Sequence, residues 1–285
     1  MKNSEIKDIL FLEAVEAIDA GDITKLEKLL SEHPRLVTEP LDRASGDYFE
    51  NPYLLWFVAD NPIRVEKLPV NIAEVTRVLI HYLKKYESTN IEHQLNYAVG
   101  LVSTGRIPRE SGAQLDLLDV LIEAGGSSGG ALIALAHGNT EAAEYHLKRG
   151  EKLTLAVAVG LNKVNEAMQL APNETSENKL LALTIAAFSG NTRLVSFLLD
   201  SGAAPNGFPH PKSGFHSHAT PLHQSVFSGS LDTVKLLVAA GAKLDATDKI
   251  YEGTALSWAE YMLESDLDQA SKNKFTVIQK YLKEQ

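Results

Sequence analysis

The chain has 285 residues, 44% of them hydrophobic, with no cysteine and a formal net charge of −10. That apolar fraction excludes wholesale disorder, and the missing thiols exclude disulfides, thiolate metal sites and a cysteine nucleophile. The acidic balance argues against a nucleic-acid partner, which requires a basic surface to displace counterions.

At about 100–200 residues per domain, the length allows one large domain or two ordinary ones. The first twenty residues carry Glu5, Asp8, Glu13, Glu16 and Asp19. These charges interrupt the apolar centre that a signal peptide needs. No stretch approaches 18 uncharged apolar residues, so no spanning helix and no membrane partner are expected. A cytoplasmic location is the expectation, and the sequon at Asn173–Thr175 is read as a chance match.

In chain order, the first strong pattern is Gly21-Asp-Ile-Thr-Lys-Leu-Glu-Lys-Leu-Leu30. It recurs from Gly138 to Leu147, from Gly190 to Leu199 and from Gly229 to Val238. Apolar residues fall at window positions 6, 9 and 10, for example Val195, Leu198 and Leu199. That spacing places them on one face of a short helix. In the last three windows a further glycine follows three residues on, at Gly150, Gly202 and Gly241, and suits a left-handed cap. In the first, His33 and Pro34 end the helix.

Weaker copies lie at 70–79, 113–122, 159–168 and 273–282. Each of the eight windows predicts the second helix of a pair. First helices are visible too. Thr220-Pro-Leu-His-Gln-Ser225 and Thr254-Ala-Leu-Ser-Trp-Ala259 share a template, and Leu181 to Ala186 is a degenerate copy. Thr220 suits an N-cap, and Pro221 suits the first helical position, where its missing N–H is not needed.

Thr220-Pro-Leu-His223, Ser228-Gly229 and Val238-Ala-Ala-Gly241-Ala242 resemble the ankyrin repeat. The likeness is strong over about 180–262, degenerate over 11–35 and 129–172, and weak over 50–128. There, inserts at Asn61–Pro69 and Gly105–Gly112 separate the helices of a pair. The resemblance implies an all-α solenoid of about eight helix-turn-helix units with short hairpin-like loops. The units fall at approximately 4–36, 50–84, 92–126, 129–152, 153–172, 179–206, 218–248 and 252–285. About 36 residues per unit compares with an ankyrin period of 33 plus inserts. One continuous domain over 1–285 then fits better than two globular ones. Each unit buries its faces only against its neighbours, so end units should be atypical. Unit one opens on Ser4-Glu-Ile-Lys-Asp8 and unit eight closes on Lys280–Gln285.

The resemblance also implies that residues just before the mid-unit glycine face the concave side. Phe188 and Phe227 each stand two before such a glycine, and Tyr261 is seven after Thr254, as Phe227 is seven after Thr220. An aromatic therefore occupies one template position in three successive units. Packed helices sit about 8–10 Å apart, so the rings would form a column. Exposure for contact and burial between repeats are both open for them.

The loop from Gly202 to Thr220 spans 18 residues, against 13 from Gly241 to Thr254. It contains Phe208, His210, Phe215, His216 and His218, one lysine and no acid. With His223, these histidines raise a metal or small-ligand reading for loop 207–218, weakened by poor ligand spacing and the lack of a nearby carboxylate. The resemblance gives His223 a structural task instead, bonding turn backbone. Gly125-Gly-Ser-Ser-Gly-Gly130 could cradle phosphate, but lacks the Lys-Ser/Thr ending of a P-loop and reads as an inter-repeat turn. No motif for nucleophilic, metallopeptidase or dinucleotide chemistry is present.

The sequence therefore predicts a non-catalytic, cofactor-free protein-interaction module acting as a monomer. Its partner is an unknown protein, contacted at Phe188, Phe227, Tyr261, Phe208, Phe215, His216 and His218. A self-associating structural subunit is the other alternative, through Phe275, Ile278 and Tyr281 if the last helix is uncapped.

Overall fold

The repeat window dictates the local structure. In the computed structural model, which describes residues 3–285, the window glycines Gly21, Gly138, Gly190 and Gly229 have φ of 68°, 69°, 63° and 70°. A Cβ is strained in this left-handed region, so glycine makes the turn. The next residue caps the helix. Side chains of Asp22, Asn139, Asn191 and Ser230 accept the N–H of the residue three further on. Each cap satisfies a backbone donor that the helix leaves open. The apolar positions then turn inward: Leu26, Leu29 and Leu30 are buried, as are Val195 with Leu198 and Val234 with Leu237.

The chain divides into two compact units, residues up to Glu151 and Lys152–Gln285. The first contains α1 (Ile9–Ala20), α2 (Ile23–Glu32), α3 (Arg35–Thr38), a 3-10 helix (Leu54–Ala59), α4 (Ile72–Lys85), α5 (Ile91–Thr104), α6 (Arg106–Glu110), α7 (Gln114–Glu123), α8 (Ala131–Ala136) and α9 (Thr140–Lys148). Here α1 pairs with α2, the 3-10 helix with α4, α5 with α7 and α8 with α9. The leading members stack on one another, and so do the trailing ones. The second unit repeats this scheme with α10 (Leu155–Gly160), α11 (Val164–Leu170), α12 (Ser176–Phe188), α13 (Thr192–Asp200), α14 (Pro221–Phe227), α15 (Leu231–Ala239), α16 (Ala255–Glu264) and α17 (Gln269–Lys283). The leading helices α10, α12, α14 and α16 stack in order, as do α13, α15 and α17 behind them. Among the described residues there are eight helical pairs and no β-strand, and no helix is long and apolar enough to cross a membrane. The architecture is the all-α helical-pair repeat that the sequence predicts.

Several expectations are corrected. The leading element of the second pair is a 3-10 helix rather than an α-helix, with all six residues buried. The insert at 105–112 contains the short helix α6. The insert after Ala59 is ordered by Asp60, whose carboxylate accepts the N–H groups of Arg64 and Glu66 at 2.8 and 3.0 Å. The Arg64 guanidinium donates to Asp19 at 2.6 Å and lies over the Phe57 ring. At the C-terminus, Phe275 and Ile278 are not exposed. They are 5% and 0% accessible, packed within the second unit, so they offer no surface for self-association.

The glycine-rich stretch lies between helices α7 and α8, and the N–H groups that could cradle phosphate are taken within the chain. Glu151 takes them: one carboxylate oxygen accepts the N–H groups of Gly130 and Ala131, both at 2.9 Å. His146 holds core position 9 of its window, fully buried, with Nδ1 donating to the Ser128 carbonyl at 2.7 Å and Nε2 2.8 Å from the Ser103 hydroxyl. A carbonyl only accepts, so Nδ1 carries a proton. Burial lowers the His146 pKa, opposed by the Ser128 carbonyl and the Glu151 charge.

The charge is also unevenly placed. Residues 1–151 hold 15 Lys and Arg against 24 Asp and Glu, net −9, while 152–285 hold 12 against 13, net −1. The second unit is close to neutral.

A Cβ at Gly130 would stand 2.5 Å from the His146 ring, against 3.3 Å to its nearest neighbour at Gly129. Gly130→Ala should lower stability by about 1–3 kcal/mol through overpacking, and Gly129→Ala by clearly less. Urea unfolding of the two variants checks this.

Candidate functional site

The stacking of α12, α14 and α16 brings Phe188, Phe227 and Tyr261 to one side of the second unit. Phe188 is half-buried, whereas Phe227 and Tyr261 are 47% and 70% exposed. Phe188 and Phe227 stack at 5.5 Å with planes 10° apart. Tyr261 makes no ring contact with Phe227, so the expected column is two rings long.

These rings line a cleft of about 500 Å³. One wall is the Phe188–Phe227 stack, extended by the His216 ring 4.9 Å from Phe188. The other is built from Trp258, Tyr261, Met262 and Tyr251, with His218 6.0 Å from the Trp258 ring. Gln224, Gly253 and Ser257 complete the lining, which has no Lys, Arg, Asp or Glu. Five of the seven sequence-predicted contact residues therefore meet here.

The other two do not. Phe215 is only 2% exposed and meets Phe188 edge-on at 5.3 Å. It anchors the loop beneath the cleft and is corrected from contact residue to core residue, since a large ring is best buried wherever a loop folds back on a helix. Phe208 lies outside the cleft, under the Lys249 ammonium at 4.2 Å. The loop makes a 3-10 turn at Pro211–Ser213 and a left-handed Gly214, φ 77°, and so separates Phe208 from His216 and His218. The His218 carbonyl accepts the Lys249 N–H at 2.8 Å, tying the loop to the next hairpin.

The far wall is fixed by a buried polar network that starts in the repeat signature. Thr220 caps α14, and its hydroxyl donates to His223 Nδ1 at 2.7 Å. His223 Nε2 donates to the Gly253 carbonyl at 2.9 Å, which sets the tautomer. Both ring nitrogens are thus engaged, which matches the structural task that the resemblance implies for His223 and leaves it out of the alternative metal reading. Burial lowers the His223 pKa against the raising effects of the Gly253 carbonyl and the Asp248 charge.

Asp248 completes the network. One oxygen accepts the N–H groups of Ile250 and Tyr251 at 2.9 and 2.7 Å. The other accepts the Gly253 N–H and the Trp258 indole N–H, both at 3.0 Å. Burial pushes this carboxyl up, but the four donors outweigh it and bring the pKa to about 2. The sequence offered no signal for Asp248. Trp258 could have been found, because it sits on the same template position as Gln224, one residue past the His223 and Ser257 positions. Tyr251 follows from Asp248, whose turn projects it 76% exposed beside the cleft.

A depressed acid pKa contributes stability above about pH 4, and that contribution fades as pH falls towards 2. The Trp258 indole N–H resonance should therefore hold its position down to pH 4 and shift with a midpoint near 2. A midpoint at or above 3.8, the ordinary aspartate value, would contradict the network.

A family model for ankyrin repeats (three copies) matches residues 131–248. Cyclin-dependent kinase inhibitor 2A of Monodelphis domestica is 40% identical over 101 residues, 35% of this chain and 56% of that protein. The chain thus spans about half the length of this curated relative. The crystal structure of the human ASB11 ankyrin repeat domain is 14% identical and has a TM-score of 0.38, with 93% of this chain and 96% of that one covered. Ankyrin repeats are generally protein–protein interaction modules. With its capped helical pairs and this family match, the chain carries ankyrin repeats over residues 131–248.

Proposed function

We propose that this chain is a protein-binding module, with no chemistry of its own, that holds its partner at the aromatic cleft of residues 188–262. One observation carries the reading. Phe227, Tyr251 and Tyr261, 47%, 76% and 70% exposed, surround an apolar cleft of about 500 Å³. Exposed rings gathered around one apolar cleft are costly in water and mark contact surfaces. Tyr and Phe also bring large contact area with few rotors to immobilise. Phe188, His216 and His218 belong to the same surface, and Phe208 is its outlying member. The likeness to a protein named as a kinase inhibitor fits a module that acts by binding. The reading takes residues 1–285 as one repeat domain.

Because Phe227 and Tyr261 are largely exposed, replacing both by Ala should leave the fold intact. A partner captured by the wild-type chain should bind the double variant more weakly by about 2 kcal/mol or more, as for interface hot spots. Phe215→Ala is unsuitable as a probe, since truncating a buried Phe costs about 3–5 kcal/mol of stability. Affinity capture followed by titration of the captured partner is the measurement. Equal affinity of the wild type and the double variant would place the contact elsewhere.

A further inference from the structure

Gln224 is out of place in its own repeat. The same template position holds Ile185 in the preceding pair and Trp258 in the following one, both suited to packing between stacked helices. Gln224 is 2% exposed as a residue; no hydrogen bond joins its carboxamide to a protein group among the described residues, and its polar atoms are not sealed from solvent. It lines the aromatic cleft. An amide open to a cleft is hydrated, so an occupant that displaces that water must replace its hydrogen bonds or lose affinity. The amide offers one acceptor and two donors to an occupant of the cleft.

The occupant is constrained on three sides. Ring faces of Phe188, Phe227 and Trp258 favour a flat or apolar group between them. The absence of Lys, Arg, Asp and Glu from the lining, in a unit of net charge −1, favours an uncharged one. Gln224 is matched by a group that both donates and accepts, as a peptide amide does. We infer that Gln224 is a recognition residue, and that the cleft takes an aromatic side chain from an uncharged segment of a partner protein while the carboxamide pairs with that segment's main-chain amide. This rests on the cleft being the contact surface.

The test uses the full-length 15N-labelled protein and two small probes. N-acetyl-L-tryptophanamide carries a ring and peptide amides, whereas 3-methylindole carries the ring alone. Titrations followed at the Trp258 indole and Gln224 side-chain resonances give both affinities. The amide-bearing probe should bind about five- to tenfold more tightly, the effect of one buried hydrogen bond, and only it should shift the Gln224 amide strongly. Gln224→Met, close in size and apolar, should abolish that preference and leave 3-methylindole binding unchanged. Equal binding of both probes by the wild type, with the Gln224 amide unmoved, would overturn the role of Gln224 while leaving the cleft as a ring-binding surface. Binding of neither probe would overturn both readings. The wild-type comparison decides the matter even if the variant folds poorly.

Discussion

Four N–H groups converge on the carboxylate of Asp248, and the shape of the aromatic cleft depends on that convergence. The donors come from the tip of one hairpin and from the indole of Trp258 in the helix that follows. A single buried charge thereby fixes the turn that exposes Tyr251 and the ring that forms the far wall. His223 locks the same turn from the other side through the Gly253 carbonyl. The threonine and histidine that identify the repeat are thus also the outer support of the cleft. A fully satisfied network of this kind rigidifies what surrounds it, whereas a half-satisfied one would be worse than an apolar core.

Much of this fold is legible in the sequence because each helical pair solves one problem. A short helix cannot bury its face alone, so the apolar spacing, the turn glycine and the capping residue recur wherever a pair stacks. Leu26, Val195 and Val234 could be placed inward without coordinates for that reason. The template also brought Phe188, Phe227 and Tyr261 to one side, because equivalent positions in stacked pairs are neighbours. Legibility failed where a residue's role depends on a return of the chain. Phe215 looks like any loop aromatic until Gly214 turns it beneath Phe188. Asp248 and Tyr251 are ordinary hairpin residues until the backbone donors gather. At 54–59 the hydrophobic run is buried on every side and presents no single face, and it forms a 3-10 helix that the repeat template did not mark.

Departures from the template divide into two kinds. His146 stands where the repeat calls for an apolar side chain, but Ser103 and Ser128 meet its nitrogens and Gly130 leaves room for its ring. That departure is resolved within the fold. Gln224 breaks the same rule, and it opens on the cleft instead of bonding within the described residues. The near-neutral second unit points the same way: its surface chemistry there is one of rings and an amide rather than of charge. The acidic excess of the chain resides in residues 1–151 and bears on solubility more than on the cleft.

The central claim is that partner contact occurs at this cleft. The most direct measurement is photocrosslinking from p-benzoylphenylalanine placed at one exposed apolar position at a time. Tyr251 beside the cleft and Ile9 in the first unit are 76% and 73% exposed, so the two report from equally accessible sites. The account predicts efficient crosslinking of a bound partner from position 251 and little from position 9. Crosslinking that is as strong from position 9, or absent from position 251, would contradict it.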